Sequence, residues 1–297
     1  MHISVLLNEV IEFLSLKDGD IIFDGTLGGG GHAEEILKRI SPNGRLIGVD
    51  KDSAAIERVK KKLSKFKENL ILENDDFRNV DEILKKIGIK SINGAIFDLG
   101  MSSYQVDDKE RGFSFLHDGP LDMRFDREQK MSARYIVNTF SKSELTDIIR
   151  TFGEERYSGQ IAGAICAARQ KKAINTTSEL AGVIKRSVGG KYRKQRINPA
   201  ARTFQALRIY VNDELGSLEA VIGKTVQCLA PGAKICLISF HSLEDRIVKR
   251  AFRALAKEGL LTIITKKPLI SGRDEIKDNP RARSAKLRVA EKKNEIS

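Results

Sequence analysis

Short apolar runs alternate with amphipathic stretches through the first hundred residues. The runs are Ile21–Asp24, Arg45–Val49, Leu70–Glu73 and Gly94–Asp98. Val5–Leu14, Ala54–Leu63 and Val80–Ile87 repeat apolar residues at helical spacing, and Ala33–Ile40 is helix-compatible. Strands alternating with helices predict a mostly parallel sheet. The alternation stops after Asp98. It resumes with Lys234–Phe240, Leu261–Thr265 and Lys286–Ala290, which makes seven expected strands.

The interruption reads as helical. Ser141-x-x-Glu144 and Thr176-x-x-Glu179 are capping boxes, whose side chains satisfy the free N–H groups of a first helical turn. Tyr157–Lys172 is alanine-rich. Asn198-Pro199 is an N-cap followed by proline at the first helical position. From there Phe204, Leu207, Val211, Leu215, Leu218, Ile222, Val226 and Leu229 recur every three or four residues, predicting one long helix stopped by Pro231-Gly232. The expected organisation is an α/β domain of residues 1–105 and 198–297, holding a helical insert of residues 106–197.

The first strand runs into Asp24-Gly-Thr-Leu-Gly-Gly-Gly-Gly-His32 and then a helix. Strand, glycine-rich turn and helix bring backbone close to a ligand, where a Cβ would intrude. Gly28-x-Gly30-x-x-Ala33 satisfies a dinucleotide fingerprint, and Asp50 ends the second strand where a ribose-binding carboxylate is expected. The same residues suit a first motif of amino-methyltransferases, which bind S-adenosylmethionine. Asp24 favours the second reading, because an acid before the glycines repels a pyrophosphate and attracts a sulfonium or ammonium group.

Carboxylates stand at four successive strand ends: Asp24, Asp50, Asp75-Asp76 and Asp98. A helix N-cap or a turn accounts for such a residue singly, and for Asp75 that is the preferred account. Phe77 is a candidate for an adenine face or for the core.

Composition sharpens the choice of partner. The 297 residues are 41% hydrophobic, ordinary for a soluble protein, with no apolar run of membrane-spanning length and no signal-peptide pattern at the start. A cytoplasmic location without membrane association is the expectation. Cys166, Cys228 and Cys236 are too widely spaced for a disulfide framework or a zinc site, so no metal is expected. The formal net charge is +12. Eight basic residues and no acid fall between Lys185 and Arg208, around Gly189-Gly190, and a second basic stretch runs from Arg281 to Lys293. That distribution points to a polyanion, with Arg193, Lys194 and Arg196 as candidate phosphate contacts.

Several segments together resemble one family. They are His2–Val10, Phe97–Phe115 (FDLGMSSYQVDDKERGFSF), Asp122–Phe125, Asn198–Leu215, Phe240–Lys249 and Arg283–Glu291. In order, and over nearly the whole chain, they are similar to the bacterial 16S ribosomal RNA (cytosine-N4) methyltransferase family, RsmH or MraW. The resemblance implies a class I S-adenosylmethionine-dependent methyltransferase fold, Rossmann-like, with an inserted all-helical domain that recognises RNA. It implies S-adenosylmethionine as donor, S-adenosylhomocysteine as product, and as target N4 of a cytidine in the decoding centre of the small ribosomal subunit. By the same resemblance Gly30, Gly31 and His32 line the methionine end of the donor, beside Asp24 and Gly28. Asp50 takes the ribose, Phe77 the adenine, and Asp98 and Gln105 make further polar contacts. His2 and His241 receive no role.

The exocyclic amine of cytosine is a poor nucleophile, since its lone pair is delocalised into the ring. Asp98 is the main candidate to accept its hydrogen bond and proton, with Ser102 or Ser103 positioning the base. One departure stands out. Many amino-methyltransferases place Pro-Pro and an aromatic after the acid of the fourth strand; here Leu99-Gly100-Met101 follows Asp98. Tyr104, Phe113 and Phe125 are candidates for the missing aromatic platform. No Pro-Cys pair follows that strand, which disfavours covalent C5 chemistry. The rivals are a nicotinamide oxidoreductase and a non-catalytic RNA-binding protein.

Overall fold

The computed structural model describes residues 4–192 and 198–294. In chain order it runs α1 (Leu7–Leu14), β1 (Ile21–Asp24), α2 (Gly31–Ile40), β2 (Arg45–Val49), α3 (Ser53–Lys62), β3 (Leu70–Glu73), α4 (Val80–Lys86) and β4 (Ile92–Asp98). Six helices follow: α5 (Ser103–Asp107), α6 (Ala133–Thr139), α7 (Lys142–Gly153), α8 (Ser158–Lys171), α9 (Thr177–Tyr192) and α10 (Pro199–Asn212). The chain ends with α11 (Glu214–Cys228), β5 (Leu229–Ser239), α12 (Ser242–Lys257), β6 (Leu261–Ile263), β7 (Leu269–Ile270), α13 (Arg273–Asp278) and β8 (Lys286–Lys292).

Two compact units result, Met1–Gly100 with Leu215–Ser297, and Met101–Glu214. These divisions fall at Gly100 and Glu214, not after Gln105 and before Asn198. The helix α10 belongs to the second unit because its Phe204, Ala206 and Leu207 are buried in the same apolar cluster as Leu145, Ile149 and Ile161.

The first unit is an eight-stranded sheet in the order β3-β2-β1-β4-β5-β8-β6, with β7 paired to β8. Strands β1 to β5 pair in parallel, and β8 runs antiparallel to β5, β6 and β7. Parallel strands covered on both faces read as continuous apolar runs, which is the pattern of β1, β2 and β4. One face packs Val80, Leu84, Val221, Val248 and Phe252; the other packs Val10, Ile36, Leu37 and Val59. Helices therefore cover both faces, the class I Rossmann-like arrangement expected above. The extra strand is β7, two residues long and too short to show any alternation.

Among the described residues, the second unit combines helices with an irregular stretch, 112–132, and an isolated bridge between Pro120 and Thr176. Both expected capping boxes form. In one, Ser141 and Glu144 exchange bonds. In the other, Thr176 N–H donates to Glu179 and Glu179 N–H to the Thr176 hydroxyl. The long helix expected from Asn198 to Leu229 is instead two. Asp213 sits in the left-handed region at φ 48°, and its N–H closes α10 on Ile209 and Tyr210. Asn212 fixes the break: its Oδ1 accepts from Phe125 N–H at 2.7 Å and its Nδ2 donates to the Met123 carbonyl at 2.8 Å. Apolar periodicity continues across the break because both helices bury a stripe, each in its own unit.

The three cysteines are free. Burial pushes the Cys236 thiol up to about 12, so it is an inert packing group.

Candidate active site

The strand order reverses between β1 and β4, which opens a crevice beyond their carboxyl ends. Asp24 ends β1 and Asp98 ends β4, so the two carboxylates stand on either side of that crevice. The turn after Asp24 is tied to the sheet by backbone. Gly25 N–H donates to Ile96 O, Leu27 N–H to Val49 O, and Gly30 N–H to Leu27 O. Thr26 accepts from Asp98 N–H at 2.5 Å, joining the two strand ends.

Gly28 and Gly30 have φ of 51° and 68°, conformations that L side chains rarely adopt. Gly30 is the N-cap of α2, and a Cβ there would lie 2.9 Å from Val59. Gly31 has a different constraint: a Cβ would lie 2.0 Å from the Ser4 hydroxyl. The amino-terminal segment thus packs on the glycine turn. It is held from the far end of the chain, where Leu6 N–H donates to Glu275 of α13 at 2.7 Å.

Asp50 closes the turn from the side of β2. Its carboxylate accepts from Gly28 N–H at 2.8 Å and from Asp52 N–H at 2.9 Å. Arg58 and Lys62 of α3 donate to the Gly28 and Gly29 carbonyls at 3.4 and 3.2 Å. Further along, Asp75 accepts from Asp76 N–H and from Asn79 Nδ2, which makes it a turn residue, the cap itself being Asp76. Asp76 caps the following turn through Arg78 N–H and pairs with Lys51 at 2.7 Å. Phe77 stands edge-on to Phe97, with ring centroids 5.7 Å apart.

His32 is buried at the start of α2. Its Nε2 lies 3.1 Å from the Val5 carbonyl, which can only accept, so Nε2 donates there. Nδ1 lies 3.8 Å from Asp98 Oδ2. Asp98 Oδ1 is buried and, among the described residues, has no hydrogen-bond partner.

The electrostatics follow from burial. Burial pushes the Asp24 carboxyl up to about 7, opposed by the Thr26 N–H and reinforced by Asp50. Burial lifts Asp50 to about 6 against its two N–H donors. Asp98 rises furthest, to about 8, through burial and then the charges of Asp24, Glu244 and Glu275. Acids crowded in a low-dielectric crevice favour a cationic ligand and disfavour a pyrophosphate.

Sequence reasoning misses Glu244 and Glu275. Glu244 is buried and accepts from Phe240 N–H at 2.7 Å and His241 N–H at 3.2 Å. His241 is the N-cap of α12, its side chain accepting from Glu244 N–H. The capping box is therefore His241-x-x-Glu244, which gives His241 a role. A Ser/Thr search overlooks it, although the Glu at the third position is a visible signal.

The remaining candidates lie in the second unit. Ser102 is the N-cap of α5 and forms a capping box with Gln105, whose Oε1 accepts from Ser102 N–H at 3.0 Å. Ser103 opens the helix. Phe113 and Phe125 pack on each other, with centroids 5.4 Å apart, within that unit's core. Tyr104 is 43% exposed and is the better aromatic candidate. Arg193, Lys194, Arg196 and His2 lie outside the described residues. Among the described residues, no group of three or more His, Cys, Asp or Glu could hold a metal ion, and no helix is long and apolar enough to cross a membrane.

Comparison with known proteins adds three findings. The family model described as the MraW methylase family matches residues 1–293. Ribosomal RNA small subunit methyltransferase H of Halothermothrix orenii is 49% identical, over 98% of each chain, and its namesake from Clostridioides difficile is 46% identical over the same shares. A solved structure of a candidate rRNA-methylase from Clostridium thermocellum aligns with a TM-score of 0.50 at 13% identity, covering 98% of this chain and 100% of that one. At that identity the likeness concerns the fold alone.

Proposed function

The chain belongs to the MraW methylase family, and on that premise we propose that it methylates N4 of a cytidine in the decoding centre of 16S ribosomal RNA. It is an S-adenosylmethionine-dependent methyltransferase acting on small-subunit ribosomal RNA, the substrate that its relatives' names state for them. The observation that carries the finer reading is Asp98, a mostly buried carboxyl at the crevice with one oxygen lacking a partner among the described residues.

The residues present fit the donor. Asp24, Asp50 and Asp98 offer acceptors to a ligand bearing sulfonium and ammonium charge, and the Gly28–Gly31 turn lets backbone approach it. Phe77 offers an apolar ring to the adenine, and Gln105 a further polar contact. Bound S-adenosylmethionine supplies a sulfonium-activated methyl group.

The chain's own work is alignment and proton transfer. With Asp98 lifted to about 8, the donor-free protein holds a proton there near neutral pH. A neighbouring positive charge lowers a carboxyl pKa, so Asp98 ionises when the cationic donor is in place. The carboxylate then accepts a hydrogen bond from the cytosine amine, favours a more pyramidal nitrogen, and takes the proton the amine loses. Ser102 and Ser103 position the base, and Tyr104 is the candidate to stack on it. Alignment of amine with methyl is the larger contribution to rate. The helical unit, with Arg193, Lys194 and Arg196, holds RNA phosphates. The location is cytoplasmic.

The test is mass spectrometry of nucleosides from small-subunit RNA treated with the protein and labelled donor. N4-methylcytidine is expected; C5-methylcytidine would contradict the assignment. Asp98→Ala should lower turnover far more than donor affinity, and an unchanged rate would take Asp98 out of the chemistry.

A further inference from the structure

Helix α12 begins at the cap formed by His241, two residues past the end of β5. In β5, Ile238 pairs with Asp98, so α12 starts beside the crevice. Its sequence divides by face. Val248 and Phe252 are buried, and Ile247, Ala251 and Leu255 pack on the same core. The outer face carries Arg246, Lys249, Arg250, Arg253 and Lys257, all exposed.

At 3.6 residues per turn these five fall within an arc of about 100°, along about 16 Å of helix. No acid occurs between Arg246 and Lys257. The acid just before the stripe, Asp245, is already held by Arg288 at 2.7 Å and Lys286 at 3.6 Å. The acid just after it, Glu258, is the C-cap, about a third of a turn away from the stripe. The second basic stretch of the sequence, by contrast, directs Lys286 and Arg288 to Asp245. A solvated helix face ordinarily mixes both signs of charge; this one does not.

We infer that the exposed face of α12 binds the phosphate backbone of the RNA substrate, on the strand flanking the target cytidine. The inference rests on the proposed function for its ligand. A nucleic-acid strand carries one charge per ~3.4 Å of axis, so the stripe spans about four or five phosphates. Electrostatic sign selects the occupant: five cations in line, leading from a crevice proposed to take one nucleotide, match a continuous polyanion better than a protein or a small ligand. The contacts are sequence-independent, and they orient the strand while the crevice selects the base.

The test is charge reversal in the full chain with donor present. Lys249→Glu, Arg253→Glu and Lys257→Glu are combined in one variant. A control combines Lys67→Glu, Lys85→Glu and Lys90→Glu, exposed residues next to the amino ends of β3 and β4, with the same change in net charge. KM for the RNA, its salt dependence, kcat at saturating RNA and donor affinity are measured for each. The α12 variant should raise KM at least tenfold and lower the log–log salt slope by about 2, three contacts at about 0.7 each. Its kcat and donor affinity should match the wild type, which also reports intact folding, and the control should stay within about threefold in KM. An unchanged KM for the α12 variant overturns the inference, and so does an equal rise in both variants, which would reflect net charge alone. A wild-type chain that labels no RNA removes the proposed function and this surface's ligand together, before either variant is compared.

Discussion

Asp98→Asn replaces a crowded carboxyl by a neutral group of the same shape, and its effect on stability depends on pH. The wild-type carboxyl titrates near 3.8 when unfolded and at about 8 in the folded, donor-free protein. Between those values the unfolded chain has released a proton that the folded chain still holds. Folded stability is therefore fully present below the unfolded value and is lost as pH rises through the folded one. Each pH unit between the two values is worth ~1.4 kcal/mol, which over the whole interval gives about 5–6 kcal/mol as a ceiling. The side chain is 23% exposed, and water screens part of the penalty, so about 2–4 kcal/mol is the expected loss in the wild type between pH 4 and pH 8. The Asn variant lacks this loss. It should match the wild type within about 0.5 kcal/mol at pH 4 and exceed it by about 2–4 kcal/mol at pH 8. Urea unfolding at four pH values without donor measures the difference. A gap that stays constant with pH, or favours the wild type at pH 8, would refute the reasoning. The same linkage requires proton release when the cationic donor binds near pH 7. Calorimetry in buffers of different ionisation enthalpy reads it for the wild type, and Asp98→Asn should release fewer protons.

Three further outcomes are expected. Gly31→Ala drives a Cβ toward the Ser4 hydroxyl and should lower stability by about 1–3 kcal/mol through overpacking. Thermal unfolding checks this, and Ser4→Gly added to it should restore part of the loss. Asp50→Ala leaves the Gly28 and Asp52 N–H groups without their acceptor and should weaken donor binding by about 1.5–3 kcal/mol, as read by calorimetry; an unchanged affinity would remove Asp50 from the donor site. Reversing Arg193, Lys194 and Arg196 should weaken RNA binding and lower its salt slope by about 2, with donor affinity unaltered. If affinity and slope both survive, these three residues are not RNA contacts.

Much of the first unit is legible without coordinates. The bounds of β1, β2 and β3 are those of the apolar runs; β1 and β2 are covered on both faces and so lack a polar interruption, whereas the edge strand β3 is only half-buried. The glycine turn and its flanking acids are legible because a positive φ and a close approach restrict local residue choice. The long-range arrangement is not. Periodicity reports which face of a helix is buried, not which core receives it, so α10 and α11 read as one helix although Asn212 and Asp213 fix a break between them. Strand direction is likewise silent in apolar pattern, and only pairing shows that β8 runs against β5. The crevice itself is the clearest case. Asp98 is visible as a strand-end acid, but its raised pKa comes from burial and then from Asp24, Glu244 and Glu275, brought close from β1, α12 and α13. Ser4 and Glu275 reach the site in the same way, through packing between the two ends of the chain. Local sequence restricts backbone conformation residue by residue. Desolvation and charge crowding depend on distances between segments far apart in the chain, and only the folded structure sets those.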